Sequence, residues 1–420
     1  IRHAQECQKG IDGGVAMNFW EREIKTLSFS NDGLDRGAVE ESMYPWDETV
    51  AVFREQGLDT DMLDQVHFAT LPTDNLYAKN EPYPPYENYY NTMMTEPVFD
   101  YEQKLGLDPV KRIAFRIPFI SYEEKILEDT AAYTLRRDRD GWVRRYNKTG
   151  SCLVENITPI VTDQESWEAH KAHTLSQLAL HCTPENMERT YGKYREGCAK
   201  GEYAMRLRLQ GFFWCPRDLM GVEQHLISYY DQPELLKQIT RFQLDVYKEH
   251  LNGILKIIKP STLFFEEDFS GKTGPMISVD CFNEFVTPYY REIIPFLKER
   301  GVGEIFLDTD GDFTLMIPHM LACGLDGVLP VDVNAGVDIV KVRAEYPELK
   351  FWGGFNKLCI IEGPEAIDAE FKRLEPVIRQ GGCMICTDHQ VSPHTPLAHY
   401  RYYLTRLREE MARLRGERAE

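Results

Sequence analysis

The sequence predicts an α/β protein built as a (β/α)8 barrel, with an N-terminal extension and a small antiparallel insertion. Three observations predict it. Short apolar runs at 263–265, 304–307, 327–331, 350–352 and 383–386 recur with helical sequence between them. Each is followed by a polar or glycine-containing turn: Glu266, Glu267 and Asp268; Asp308 to Gly311; Asp332; Gly353 and Gly354; Thr387, Asp388 and His389. Short buried strands alternating with helices make βαβ units and a parallel sheet. Acids and a histidine at strand C-termini are what the active face of such a barrel presents.

Composition narrows the function classes. The chain has 420 residues, 27% of them charged and 43% hydrophobic, which suits one large globular unit. The net charge of −19 argues against a nucleic-acid partner, because phosphate binding needs basic clusters. The basic tail after 400 is interspersed with Glu409, Glu410 and Glu417, so it reads as a solvated helix face. No apolar run approaches the length of about 18 residues that a membrane helix needs. The polar N-terminus shows no secretory signal, and ten scattered cysteines read as reduced thiols, so a cytoplasmic protein is expected. Cys383 and Cys386 form a CxxC inside a strand and read chiefly as buried thiols.

The elements follow in order. Residues 15–20 alternate weakly, as a strand or an arm. Residues 47–56 read as a helix ended by Gly57. Residues 70–100, rich in Pro, Tyr and Asn, read as a long irregular loop. Residues 111–118 read as a strand. The runs at 133–137 and 143–146 flank an Asp-Gly turn, a hairpin signal. Residues 1–110 are thus expected as the extension, 111–160 as the antiparallel insertion, and 161–420 as the main part of the barrel. Within that part, helices are expected at 167–180, 233–257 and 400–415, with a buried strand at 204–209.

The chemistry is expected at the strand ends. Asp308 and Asp310 are two apart, so both point to one face. Glu267 and Asp268 end the preceding strand, and His389 follows the last. Lys357 and Arg217 suit an anionic substrate or a carboxylate partner. Each acid also has an ordinary structural use: Asp308 and Asp310 suit helix capping before Gly311, and Glu267 and Asp268 suit ion pairs.

Several ordered motifs carry a resemblance. They are Gly274-Pro275-Met276-Ile277-Ser278, then Phe282-x-x-Phe285-x-x-Pro288-Tyr289-Tyr290, and Leu325-Asp326-Gly327-Val328-Leu329-Pro330. Ala335-Gly336-Val337-Asp338, Trp352-Gly353-Gly354-Phe355-Asn356-Lys357 and Pro393-His394-Thr395-Pro396 continue the series. Over roughly residues 200–410 the chain resembles the uroporphyrinogen decarboxylase-like superfamily. The resemblance implies a (β/α)8 barrel. The arginine-rich N-terminal motif of the decarboxylases has no counterpart, and the chain is similar to the longer, corrinoid-dependent methyltransferase members.

The expected activity is therefore transfer of a methyl group from a small donor, such as an aryl methyl ether, to a corrinoid protein. A divalent metal, Zn2+ or another ion, is expected on Glu267, Asp308 and His389. Asp310, Asp388 and Lys357 are expected as catalytic groups, and Arg217, Trp214 and Tyr289 as substrate contacts. The thiolate-type relatives place His-x-Cys after the fifth strand and Cys after the eighth. Here those positions read Asp308-x-Asp310 and Asp388-His389, a harder donor set without sulfur. Two alternatives stand beside this reading: decarboxylase or lyase chemistry on a small carboxylate, and a ligand-binding barrel without turnover. A homodimer is compatible with the composition.

Overall fold

The computed structural model describes residues 17–64, 90–91, 96–115, 122–138, 140–148 and 154–414. Its strands are β1 (Tyr90–Asn91), β2 (Val110–Phe115), β3 (Lys125–Asp129), β4 (Tyr133–Arg137), β5 (Val143–Asn147), β6 (Val154–Thr158) and β7 (Ala204–Gln210). They continue with β8 (Thr262–Glu266), β9 (Ser270–Gly271), β10 (Gly274–Pro275), β11 (Glu304–Asp308), β12 (Gly327–Leu329), β13 (Lys350–Trp352) and β14 (Cys383–Met384). The main sheet has the order β1-β2-β7-β8-β11-β12-β13-β14. Only β1 is antiparallel; the other seven strands are parallel and follow chain order. The five apolar runs expected from sequence are β8, β11, β12, β13 and β14.

The parallel strands carry apolar residues on both faces because both faces are covered. Ile305, Leu307, Val328 and Phe351 pack outward into the large core shared with the helices. Phe306, Leu329, Trp352, Met384 and Cys386 point the other way and form a second cluster with Leu27 and Ala38. That inner cluster shows the sheet to be curled. The guanidinium of Arg206, on β7, lies 3.9 Å from the ring centre of Trp352, on β13. In a flat sheet, strands four places apart would be separated by about 19 Å.

The segment 37–43 runs between the two edges of the curl. The N–H of Asp108, just before β2, donates to the Val39 carbonyl (2.8 Å). The Glu41 carbonyl accepts from Arg112 (3.1 Å) and Arg206 (2.9 Å). On the other side, the Glu41 carboxylate accepts the N–H and O–H of Thr387, just past β14, and the Tyr400 hydroxyl. A buried carboxylate needs such donors to offset its lost hydration.

Several expected elements shift. The strand at 110–115 pairs in parallel with β7 and belongs to the main sheet, not to the insertion; residues 116–118 lie outside the described residues. The insertion is a four-stranded antiparallel sheet, β3-β4-β5-β6, spanning 125–158. Its central strands sit on the Asp-Gly turn expected from sequence, and Trp142 ties it to the body through a hydrogen bond to the Asp218 carbonyl (2.9 Å). The weakly alternating stretch is the start of a helix, Phe19–Thr26, because Asn18 caps it by accepting the Glu21 N–H; residues 15 and 16 lie outside the described residues. Most of the expected loop at 70–100 also lies outside them, but its end is strand β1 and the helix Glu96–Leu105. The helices expected at 47–56, 167–180, 233–257 and 400–415 are Asp47–Glu55, Gln164–His181, Pro233–Ile254 and Leu397–Arg413. Cys383 and Cys386 are buried free thiols. Among the described residues no helix is long and apolar enough to cross a membrane.

Candidate active site

A cavity of about 390 Å³ opens at the C-terminal ends of the curled sheet. Tyr44, Trp46 and Phe264 give it an aromatic wall, Arg112, Arg206 and Arg208 a basic one, and Glu266, Asp268, Asp308 and Asp310 an acidic floor beside His389. The pleat explains the selection. Successive strand residues face opposite sides. Arg206 and Arg208 alternate inward on β7, and Arg208 pairs in register with the inward Phe264 of β8. Glu266 follows two residues later and also points inward.

The cations on the wall are already engaged. Arg208 forms an ion pair with Glu266, its Nε donating over 2.9 Å. Arg206 is paired with Glu40, and Arg112 with Glu102 at 2.6 Å. The acids are less completely matched. Asp268 has a left-handed backbone (φ 41°), and its Oδ1 accepts the N–H of Asp310 (3.2 Å). Asp310 Oδ2 lies 3.5 Å from His389 Nε2. Asp310 Oδ1 and His389 Nδ1 are both buried, with no hydrogen-bond partner among the described residues. The His389 ring stacks against Trp46, with centroids 6.4 Å apart.

Burial and mutual repulsion make this floor a proton store. Burial, then the charge of Asp310, pushes the Asp268 carboxyl up to about 6. Burial holds Asp308 well above the ordinary carboxylate range, and the neighbouring Asp268 and Glu266 add to the effect. Like charges sharing a desolvated site resist ionising together, so these acids hold their protons to higher pH than ordinary carboxyls.

The sequence expectations are met unevenly. Asp308, Asp310 and His389 come together at the cavity. Glu267 does not: its carboxylate points outward and accepts the N–H groups of Phe212, Phe213 and Trp214, each at 2.9 Å, plus the Tyr290 hydroxyl. The reason is again the pleat, which sends the middle acid of three to the far side. Glu267 is a clamp on the turn after β7, not a ligand of the cavity. Gly211 makes room for it, since a Cβ there would fall 1.9 Å from the Glu267 carboxyl carbon.

Asp388 is also turned aside. It accepts from Asn334 Nδ2 (3.0 Å) and the Lys357 N–H (3.1 Å), and burial raises its carboxyl to about 6. It braces the turn after β14, and neither it nor Lys357 lines the cavity. Trp214 donates its indole N–H to Asp218 (2.6 Å). Arg217 stacks on Trp214 and donates to the Asp268 carbonyl (2.8 Å), so it positions an acid without lining the cavity. Tyr289 does not line the cavity: its hydroxyl donates to the Lys237 carbonyl (3.2 Å) and its ring packs on Phe212. The cavity residues that sequence reasoning missed include Glu266, Arg112, Arg206, Arg208, Tyr44, Trp46 and Phe264. Period-two alternation of Arg206 and Arg208 was the available signal for two of them.

The residues present do not fit the expected divalent ion. Among the described residues no group of three or more His, Cys, Asp or Glu side chains is placed to hold a metal. Glu267 is committed to backbone donors, and Glu266 to Arg208.

Residues 199–410 match the family model described as uroporphyrinogen decarboxylase (URO-D). The chain belongs to the uroporphyrinogen decarboxylase family. That match spans β7 to the last helix, and so covers the strands that carry the acidic floor. No curated protein sequence matches the chain. Among solved structures the chain is similar to a methyltransferase from Methanosarcina mazei, with 15% identity and a TM-score of 0.53, covering 87% of this chain and 99% of that one. At that identity the likeness is one of fold. A Listeria monocytogenes protein named as a vitamin-B12-independent methionine synthase is more distant, with 10% identity, a TM-score of 0.38, and 90% and 97% of the two chains covered. The URO-D family is thus represented here on a curled parallel sheet of the kind found in a methyltransferase.

Proposed function

We propose that this URO-D family member is a methyltransferase that moves a methyl group from a small methylated donor, such as an aryl methyl ether, to a corrinoid protein. The observation that carries the reading is the set of proton-holding carboxyls, Asp268 and Asp308, on the floor of an aromatic-walled cavity. Breaking an aryl ether C–O bond leaves a phenoxide oxygen, which needs a proton in or after the transition state. A carboxylic acid that keeps its proton above the ordinary carboxylate range supplies one at a fixed position. Tyr44, Trp46 and Phe264 offer ring faces to an aryl group. The corrinoid, when its carrier is bound, supplies the cobalt nucleophile that accepts the methyl group. Exposed Met276, Leu315 and Leu358, on segments following β10, β11 and β13, give a macromolecular carrier apolar surface to meet.

The reaction assigns proton delivery, not Lewis-acid polarisation, to the acids, because their placement does not make a three-ligand site. In this reading the curled sheet supplies seven strands of a (β/α)8 barrel, with the segment 37–43 closing the eighth place. We place the protein in the cytoplasm, where its buried thiols stay reduced.

The test is to supply purified protein with a reduced corrinoid protein and a panel of methyl ethers and methylamines. Appearance of methyl-cobalt absorbance with at least one donor is expected. Its absence across the panel would overturn the proposal. Metal analysis of the same preparation addresses the ion: less than stoichiometric divalent metal in active protein is expected.

A second reading, decarboxylation or lyase chemistry on a small carboxylate, draws on the guanidinium groups of Arg112, Arg206 and Arg208 on the cavity wall. Release of CO2 from a carboxylate panel without any corrinoid would favour it.

A further inference from the structure

A second cleft, of about 470 Å³, lies at the other end of the sheet. It is lined by residues just before β7 (Cys198 to Gly201), before β8 (Leu255 to Lys259) and before β11 (Arg300), together with Trp20 and Glu21 of the helix Phe19–Thr26. Four cations converge there, Arg195, Lys256, Lys259 and Arg300, in a chain whose net charge is −19. Arg195 is held by Glu188 (2.5 Å), and Arg300 by Asn252 (3.1 Å) and the Phe296 carbonyl (2.9 Å). Lys256 and Lys259 have no carboxylate partner among the described residues. The Lys259 ammonium instead sits 4.7 Å from the ring centre of Trp20, whose indole N–H is buried and has no acceptor among the described residues.

Cations near the C-terminal end of a helix also complement its dipole, which accounts for Lys256 after the helix Pro233–Ile254. It does not account for Arg195, which opens the helix Arg195–Lys200, at the end where a positive charge is disfavoured. Nor does it account for the convergence of side chains from four separate elements on one concavity. The volume is that of a small-molecule site. Several converging N–H donors and a single lining carboxylate, Glu21, suit an anion of high charge density.

We propose that this cleft binds a small phosphate-bearing anion, with Lys256 and Lys259 as its principal cations. The site is separate from the acidic cavity, so its test does not depend on the methyl-transfer reading. The experiment follows thermal unfolding of the full chain with inorganic phosphate, pyrophosphate and phenyl phosphate, each against chloride at matched ionic strength, with affinities by calorimetry.

At least one phosphate compound should raise the midpoint above the chloride control. The Lys256→Gln, Lys259→Gln double variant removes both charges while leaving a shorter polar side chain at each position, and should weaken binding by roughly tenfold or more, as loss of charge-assisted hydrogen bonds implies. The Lys256→Arg, Lys259→Arg variant should retain the response. Absence of a phosphate-specific shift in the unaltered protein, or an equal shift in the glutamine variant, would overturn the proposal. Which of the three probes binds most tightly distinguishes a free phosphate ligand from a phosphate ester.

Discussion

Asp308 carries the sharpest residue-scale expectation. It is 8% exposed, and desolvation together with the acids beside it favours its neutral form. Asp308→Asn keeps the shape and removes the transferable proton. Methyl transfer should fall by about 10²–10⁴-fold if Asp308 is the acid, measured as initial rate of methyl-cobalt formation. Thermal stability of the same variant should be unchanged or raised, because a repulsive carboxyl is gone. Loss of activity with a matching loss of fold would assign Asp308 a structural role instead.

The same raised carboxyls set a pH dependence. Asp268, raised from 3.8 to about 6, and Glu267, raised from 4.5 to about 7, bind protons more tightly in the folded chain than in the unfolded one. Their contribution is fully present below their unfolded values and is lost as pH rises through about 6 to 7. The unfolding midpoint should therefore decline between about pH 4 and pH 7 more steeply in the unaltered protein than in Glu267→Gln. A flat profile in both would contradict the assigned shifts. At this scale the sequence was half legible. That acids gather at strand ends was readable. Which of Glu266, Glu267 and Asp268 faces the cavity depends on where the pleat begins, and one residue of register reverses the answer.

The turn after β7 offers an element-scale test. Gly211 lies against the Glu267 carboxyl group, and that group satisfies three N–H donors of the turn Phe212 to Trp214. Gly211→Ala must push the clamp away and leave those donors without their acceptor. A destabilisation of about 2–5 kcal/mol is expected by urea denaturation, from steric overlap plus lost buried hydrogen bonds. A change below about 0.5 kcal/mol would show that the turn relaxes freely.

Elements were the most legible level. The apolar runs from 263 onward became strands because a buried parallel strand needs apolar side chains on both faces, and the sequence displays that directly. The strand at 110–115 was misassigned for the opposite reason. Lys111 and Arg112 keep it from displaying an uninterrupted apolar run, whereas the lysine ammonium lies 3.5 Å from the Phe99 ring centre and the guanidinium pairs with Glu102. Partners distant in sequence made a polar strand into a buried one.

For the molecule as a whole, Arg206 joins parts that local sequence does not relate. It stacks on Trp352 across the curl, pairs with Glu40, and approaches Glu23 at 3.5 Å. Removing one partner of a buried ionic group leaves the others uncompensated. Arg206→Ala should cost about 3–5 kcal/mol by chemical denaturation. Arg206→Met, which restores bulk but leaves Glu40 and Glu23 without their cation, should recover only part of that loss. Full recovery would show that packing on Trp352, not charge, is what Arg206 supplies. The curl itself was anticipated from the rhythm of strands and helices. The bridging segment 37–43 was not, because it has no period and the partners of Glu41 lie from 71 to 359 residues away.

That bridge has a consequence for how the chain comes to be folded. Glu41 is made well before the groups that satisfy its carboxylate: Thr387 and Tyr400 are 346 and 359 residues later. Until residues 387 and 400 have left the ribosome, this acid can have none of those donors, so it remains hydrated and the two edges stay unjoined. Closure of the sheet is thereby timed to the emergence of the segment after β14, and a nascent protein stalled before 387 should remain open and vulnerable to proteases however well its central strands have formed.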